Sequence, residues 1–354
     1  MSSKIDLRAQ TDTSSSRRSF TRRSALKSGL ALGTGLAVGT FGIIGKASAA
    51  PVTMRFGSDS PIGAPHTKSA LVMKDLIEKG TSGRVQVTVF PDGQLGGNGE
   101  MVNSVKAGTL DAVLAATALL APAVPAIDVF SLPFLYKDAA EALRIANGPF
   151  GKKLTPEINA HIACEIVGWT TDGASQIYTK RRPVRTPKDM AGLKFASGPS
   201  QIQRDTALAL DGIPTVLDIT QWYTSLQTGL VDSVRANPAD AVELKIYQVT
   251  KYLALVNIYS QPNPVLISQK FLDKLSPADQ DVVRQAGPPA CQAQVDAVVA
   301  FEKTALGFLQ DHGIVSNDIE SLAAFRDKVE VVYKKAGDRL GADIIAEVRN
   351  LVST

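Results

Sequence analysis

Three histidines and two cysteines are the scarcest reactive side chains in this 354-residue sequence. His66, His161 and His312 have no partner at metal-ligand or relay spacing along the chain. Each is expected at the surface or at a helix cap. Cys164 and Cys291 make no CxxC pair, so no zinc site of the usual spacing is expected. In an oxidising compartment the two could form a disulfide, and two separate buried thiols are an equally open alternative. GxSxG, HExxH, GxxxxGK[ST] and the calcium-binding loop are all missing from the sequence. Residues 93–99, Gly-Gln-Leu-Gly-Gly-Asn-Gly, lack the lysine that would meet a phosphate and read as a tight turn after a strand. Catalysis finds little support here, and neither a metal nor another cofactor is expected.

The elements that would position a site follow from patterning. A strand is expected at 54–57, a helix at 65–79 and an alternating strand at 85–90. Next come a helix at 99–107 stopped by Gly108 and a buried strand at 110–114. The middle of the chain repeats this grammar. Strands are expected at 161–169, 176–179, 193–196, 215–217 and 231–234. Helices are expected at 203–210 and 221–229, with a helical turn opened by Pro187. From Pro277 onward the periodicity is helical, and Pro288-Pro289 should kink or break the first long helix. Strands alternating with helices imply an α/β fold with open sheets. No linker or repeat separates domains, which fits two domains that share crossing strands.

Composition bounds the class. Hydrophobic residues make up 44% and charged residues 20%, which is ordinary for a globular protein and excludes a disordered, collagenous or polytopic membrane chain. The net charge of +4 belongs to the first 49 residues, where eight Lys or Arg face only Asp6 and Asp12. The remainder carries 30 basic and 32 acidic residues, so no nucleic-acid surface is expected. Residues 1–49 read as an export signal: a basic stretch, an apolar Gly- and Ala-rich run at 29–44, then Ala47-Ser48-Ala49 as a cleavage site. Arginine pairs stand at Arg17-Arg18 and Arg22-Arg23, and the second abuts the apolar run, as a twin-arginine signal requires. Gly33, Gly35 and Gly39 imitate a dinucleotide-binding loop but follow no strand.

Several stretches then resemble one family in order: 90–97 (FPDGQLGG), 105–111 (VKAGTLD), 132–136 (LPFLY), 183–193 (PVRTPKDMAGL) and 223–232 (YTSLQTGLVD). The chain resembles the extracytoplasmic solute-binding proteins of TRAP transporters, of the C4-dicarboxylate-binding type. The resemblance implies a two-domain periplasmic binding protein fold of α/β class, with crossing hinge strands and a long linking helix. It places domain I at 50–173 plus 262–302 and domain II at 174–261 plus 303–354, with hinges near residues 173 and 262. It implies a periplasmic monomer that captures a small organic solute in the interdomain cleft and delivers it to TRAP membrane permease subunits. Presenting ligand to a membrane sensor is a second reading of the same fold. An exported enzyme is a third, without a nucleophile–base pair to support it.

The departures from the family pattern set the expected ligand. The resemblance places a carboxylate-anchoring arginine after the Gly192-Leu193-Lys194-Phe195 strand, where this chain has Ala196. A second arginine position falls on Ser175, and Asp59 stands where Asn is usual. The usual Arg–carboxylate anchor is therefore not expected, and a neutral or cationic solute fits better. Asp59, Ser175, Gln176 and Asn237 are the expected polar contacts. Ala196 and Ile219 are expected to line the site, with Trp169, Trp222 or Tyr223 as a flat wall. Arg204 or Arg235 could instead supply a relocated anchor.

Overall fold

Val85 and Val87 turn inward while Gln86 and Thr88 face solvent, the period of a half-buried strand. In the computed structural model, which describes residues 50–352, this run forms a strand of a parallel pair. The leader, its arginine pairs, its cleavage site and the glycine-rich decoy lie outside the described residues.

The chain begins with β1 (Val52–Gly57), α1 (Lys68–Gly80), β2 (Val85–Phe90), α2 (Asn98–Ala107) and β3 (Ala112–Leu114). Gly108 ends α2 at φ 75°, a left-handed cap that favours glycine. Helices α3 (Ala139–Ala146) and α4 (Pro149–Ile162) lead to β4 (Cys164–Thr171) and β5 (Ser175–Thr179). Then come β6 (Lys194–Ser197), α5 (Gln201–Ala209), β7 (Ile213–Val216), α6 (Trp222–Thr228), β8 (Ser233–Ala236), α7 (Pro238–Glu243) and β9 (Tyr252–Tyr259). The last part holds β10 (Pro262–Ser268), α8 (Gln269–Leu272), α9 (Pro277–Asp311), β11 (Val315–Asp318), α10 (Leu322–Leu340) and α11 (Ala342–Leu351).

Two sheets result. The first has the order β2-β1-β3-β10-β4 and the second β11-β9-β5-β8-β6-β7. In the first, β1 runs parallel to β2 and β3, while β10 is antiparallel to β3 and β4. In the second, β6 runs parallel to β7 and β8, and β5 is antiparallel to β8 and β9. The chain leaves the first sheet between β4 and β5, at residues 172–174, and returns between β9 and β10, at residues 260–261. A third passage follows the 35-residue α9, which packs on α1 and β4 and leads to β11 of the second sheet. At the first crossing Gly173 has φ 88°, and a side chain there would meet the Glu302 carboxylate of α9 at 2.0 Å.

Two expectations are corrected. Residues 161–163 are not strand: α4 continues to Ile162, and Ala163 in left-handed conformation turns the chain into β4. Pro288-Pro289 does not break α9. Its packing outweighs the lost backbone bonds, because small residues bring helix and sheet together. A Cβ on Gly287 would stand 2.2 Å from the Val167 carbonyl, and one on Gly168 2.7 Å from Cys291 Sγ. Of the two alternatives for the cysteines, the structure has the separate thiols: Cys164 and Cys291 are both free and buried. Burial pushes each thiol up to about 12. Among the described residues no helix is long and apolar enough to cross a membrane.

Candidate functional site

Parallel strands end on one side of a sheet, so the loops after their carboxyl ends converge. Asp59 and Ser60 follow β1, and Ala116 and Ala118 follow β3. Asp172 and Gly173 follow β4, and Asn237 follows β8. Gly198 and Pro199 follow β6, and Leu217 and Asp218 follow β7. Loops of both sheets thus line one cavity. Asn237 caps α7 by accepting from Asp240 N at 2.7 Å, which aims the side chains of Asp240 and Glu243 into the same space. Across it, the 3-10 turn Pro65–Thr67 delivers His66.

The lining is acidic. Carboxyl groups of Asp59, Asp172, Asp218, Asp240 and Glu243 face one guanidinium, Arg235, and one imidazole, His66. His66 Nδ1 lies 3.2 Å from Glu243 Oε2 and 3.6 Å from Asp240 Oδ1, and Nε2 lies 3.8 Å from Asp172 Oδ1. Burial alone would lower the imidazole's pKa, but Asp240, Glu243 and Asp172 outweigh it and raise the value well above 6.5. Asp59 is pushed up to about 6, first by burial and then by the charge of Asp172. Burial also raises Asp172 and Asp240, against the pull of His66. Asp59, Asp172 and Asp240 are thus all held back from ionising.

Arg235 is held from behind. Its Nη2 donates to Gln203 Oε1 at 3.0 Å, and its guanidinium sits 5.2 Å from the Tyr259 ring centre. Gln203 in turn donates to Gln261, which donates to Ser131. Buried Nε of Arg235 has no hydrogen-bond partner within the protein, and neither has Nε1 of Trp222. Both residues line the cavity.

Asp59, Ser175, Ile219, Trp222 and Asn237 line the cavity; Trp169, Gln176 and Ala196 do not. Trp169 packs against Phe130, ring centres 5.3 Å apart, because β4 turns it into the core. Gln176 Oε1 accepts from the backbone N–H of Val256 and Asn257, closing an irregularity between β5 and β9. Ala196 is fully buried in the cluster that also contains Trp222. Tyr223 points to Gln248. Arg204 folds back on Pro199 and Gln201, so of the two candidate anchors only Arg235 reaches the cavity.

His66 corrects the expectation of a surface or capping histidine: it is 5% exposed and enclosed by carboxylates. Asp172, Asp240 and Glu243 escaped the sequence reading. The usable signal was the i, i+3 spacing of Asp240 and Glu243, which sets both on one helix face. Nothing local links them to His66, more than 100 residues away.

The model of the family "Bacterial extracellular solute-binding protein, family 7" matches residues 56–339. The C4-dicarboxylate-binding periplasmic protein of Rhodobacter capsulatus is 28% identical over 311 residues, 86% of this chain and 92% of that one. The sialic acid-binding periplasmic protein of Vibrio cholerae is 25% identical over 314 residues, 87% of this chain and 97% of that one. A TRAP periplasmic solute-binding protein from Polaromonas, solved with D-erythronate bound, superposes with a TM-score of 0.82 at 28% identity. That match covers 86% of this chain and all of the other.

Proposed function

Because this chain belongs to family 7 of the bacterial extracellular solute-binding proteins, we propose that its cleft captures a small hydroxylated solute carrying at most one carboxylate, held by Arg235. The observation that carries this reading is the charge of the lining: five carboxyl groups face one guanidinium and one imidazole. A second acidic group on the ligand would enter that space without a counter-charge. Hydroxyl or ammonium groups instead find acceptors at Asp59 and Asp172. Trp222 offers a flat wall and an indole N–H, and Ser175 and Asn237 supply further polar edges. The named relatives bind a dicarboxylate, sialic acid and D-erythronate. Of these, the hydroxylated monocarboxylates resemble the proposed ligand, and the dicarboxylate does not.

The leader at 1–49, cleaved near Ala49, would carry the protein to the periplasm by the twin-arginine route. There it would deliver solute to TRAP permease subunits, with domain I at 50–173 plus 262–302 closing on domain II about residues 173 and 262. Calorimetry tests the ligand class. D-erythronate and related hydroxy monocarboxylates are expected to bind, and succinate is not. Arg235→Gln removes a charge-assisted hydrogen bond of about 1.5–3 kcal/mol, so affinity should fall about 10- to 150-fold. Micromolar succinate binding that survives Arg235→Gln would overturn the reading.

A further inference from the structure

The geometry points to a divalent-cation site at His66, Asp240 and Glu243. There a dication of the zinc or manganese class bridges the two sides of the cleft and offers its open positions to solute oxygens. One ligand atom from each of the three side chains lies within 4.8 Å of the others. His66 Nδ1 stands 3.2 Å from Glu243 Oε2 and 3.6 Å from Asp240 Oδ1. Zinc bonds of about 2.0–2.1 Å at tetrahedral angles put neighbouring ligand atoms about 3.3 Å apart, close to both distances from His66 Nδ1. One imidazole with two carboxylates is a donor set that suits zinc or manganese better than calcium or magnesium.

A second observation points the same way. Glu243 is about nine-tenths buried, yet its Oε1 has no hydrogen-bond partner, and Nε2 of the 5% exposed His66 has none either. Buried polar atoms of this kind are usually satisfied. The outer contacts are those that orient metal ligands. Nε2 faces Asp172, whose other oxygen accepts from Asn263, and Asp240 Oδ2 accepts from Asn237 at 2.6 Å. His66 comes from the turn after β1 of the first sheet, and the two carboxylates come from α7, which follows β8 of the second. A bound dication would supply the positive charge that Ser175 and Ala196 do not. The inference rests on the reading of this cleft as the solute site.

Chelator-treated purified protein, without any solute, is titrated with zinc by calorimetry and with manganese by electron paramagnetic resonance. One dication per chain is expected. His66→Gln and Glu243→Gln should abolish it, and Asp172→Asn should weaken it about 10- to 100-fold. Asp218→Asn, an acidic change in the same cleft but outside the set, should leave it within about twofold. Thermal unfolding of each variant checks that it is folded, and Glu243→Gln, nearly isosteric, serves if His66→Gln is not. No binding to wild type, or equal binding by His66→Gln or Glu243→Gln, overturns the site and leaves the imidazolium as the cluster's own cation. Solute binding is measured separately with and without chelator. Equal solute affinity in both removes the metal's bridging role while the cleft reading stands. Metal binding with no solute binding sinks the cleft reading instead.

Discussion

Asp59→Asn should make the protein more stable and less able to hold its ligand. The carboxyl of Asp59 is raised from 3.8 to about 6 in the fold, by burial and by Asp172. The folded state therefore binds more protons than the unfolded state between about pH 4 and pH 6, and this group's contribution to stability falls as pH rises through that window. Above it, the full cost of holding the ionised carboxylate is about 3 kcal/mol. Asp59 is only partly buried, and solvent screening reduces this to about 2 kcal/mol. Asparagine keeps the shape and removes the charge. Urea unfolding of both proteins at pH 4.0, 5.0, 6.0 and 7.5 should give nearly equal stability at pH 4.0, within about 0.5 kcal/mol. At pH 7.5 the variant should be ahead by about 2 kcal/mol, a rise in Tm of about 4 °C. Taking the difference between the two proteins cancels the titrations they share. A gap that is constant with pH, or that closes as pH rises, would refute the argument, because the cost must appear where Asp59 ionises. The same variant should lose at least tenfold in affinity for a hydroxylated ligand, a function-for-stability exchange common at binding sites.

Gly173→Ala should cost about 1–2 kcal/mol, from left-handed backbone at φ 88° and displacement of the Glu302 carboxylate. Urea midpoints measure it, and an unchanged midpoint would show that the crossing has other conformations open to it. Ala196→Arg should destabilise by about 2–4 kcal/mol, since a guanidinium would enter a fully buried position beside Trp222. A variant as stable as wild type would show that this position opens into the cleft. Replacing Arg22 and Arg23 by Lys should leave the precursor in the cytoplasm, and mature protein appearing outside at the normal level would mean that the other arginine pair or another route serves. Small-angle scattering of free and ligand-saturated protein should differ if the cleft closes about residues 173 and 262; superimposable profiles would exclude that closure.

Local pattern revealed what local physics determines. The alternation at 85–90 and the glycine stop at 108 correspond to β2 and to the end of α2, because period and left-handed backbone are written in adjacent residues. β10 went unread, since it is buried on every residue and offers no alternation to recognise. Pro156 lies inside α4 and Pro288-Pro289 inside α9, where tertiary packing overrides a strong local breaker. The cleft was legible only in part for the same reason. Asp59 and Asn237 stand directly after strands that could be foreseen. The partners of His66 lie at 172, 240 and 243, and only the two chain crossings bring them together.

Those crossings also set a timetable for synthesis. The first sheet stays incomplete until β10, ending at Ser268, enters between β3 and β4, although β3 ends at Leu114. At about 5–20 residues per second, a ribosome takes roughly 8–30 s to cover that stretch. During this interval the apolar edge of β3 has no partner strand, a template for mispairing with other chains. Neither sheet can be finished as a separate N-terminal unit, so truncated chains should be insoluble and holdase chaperones should engage the nascent chain between these two strands.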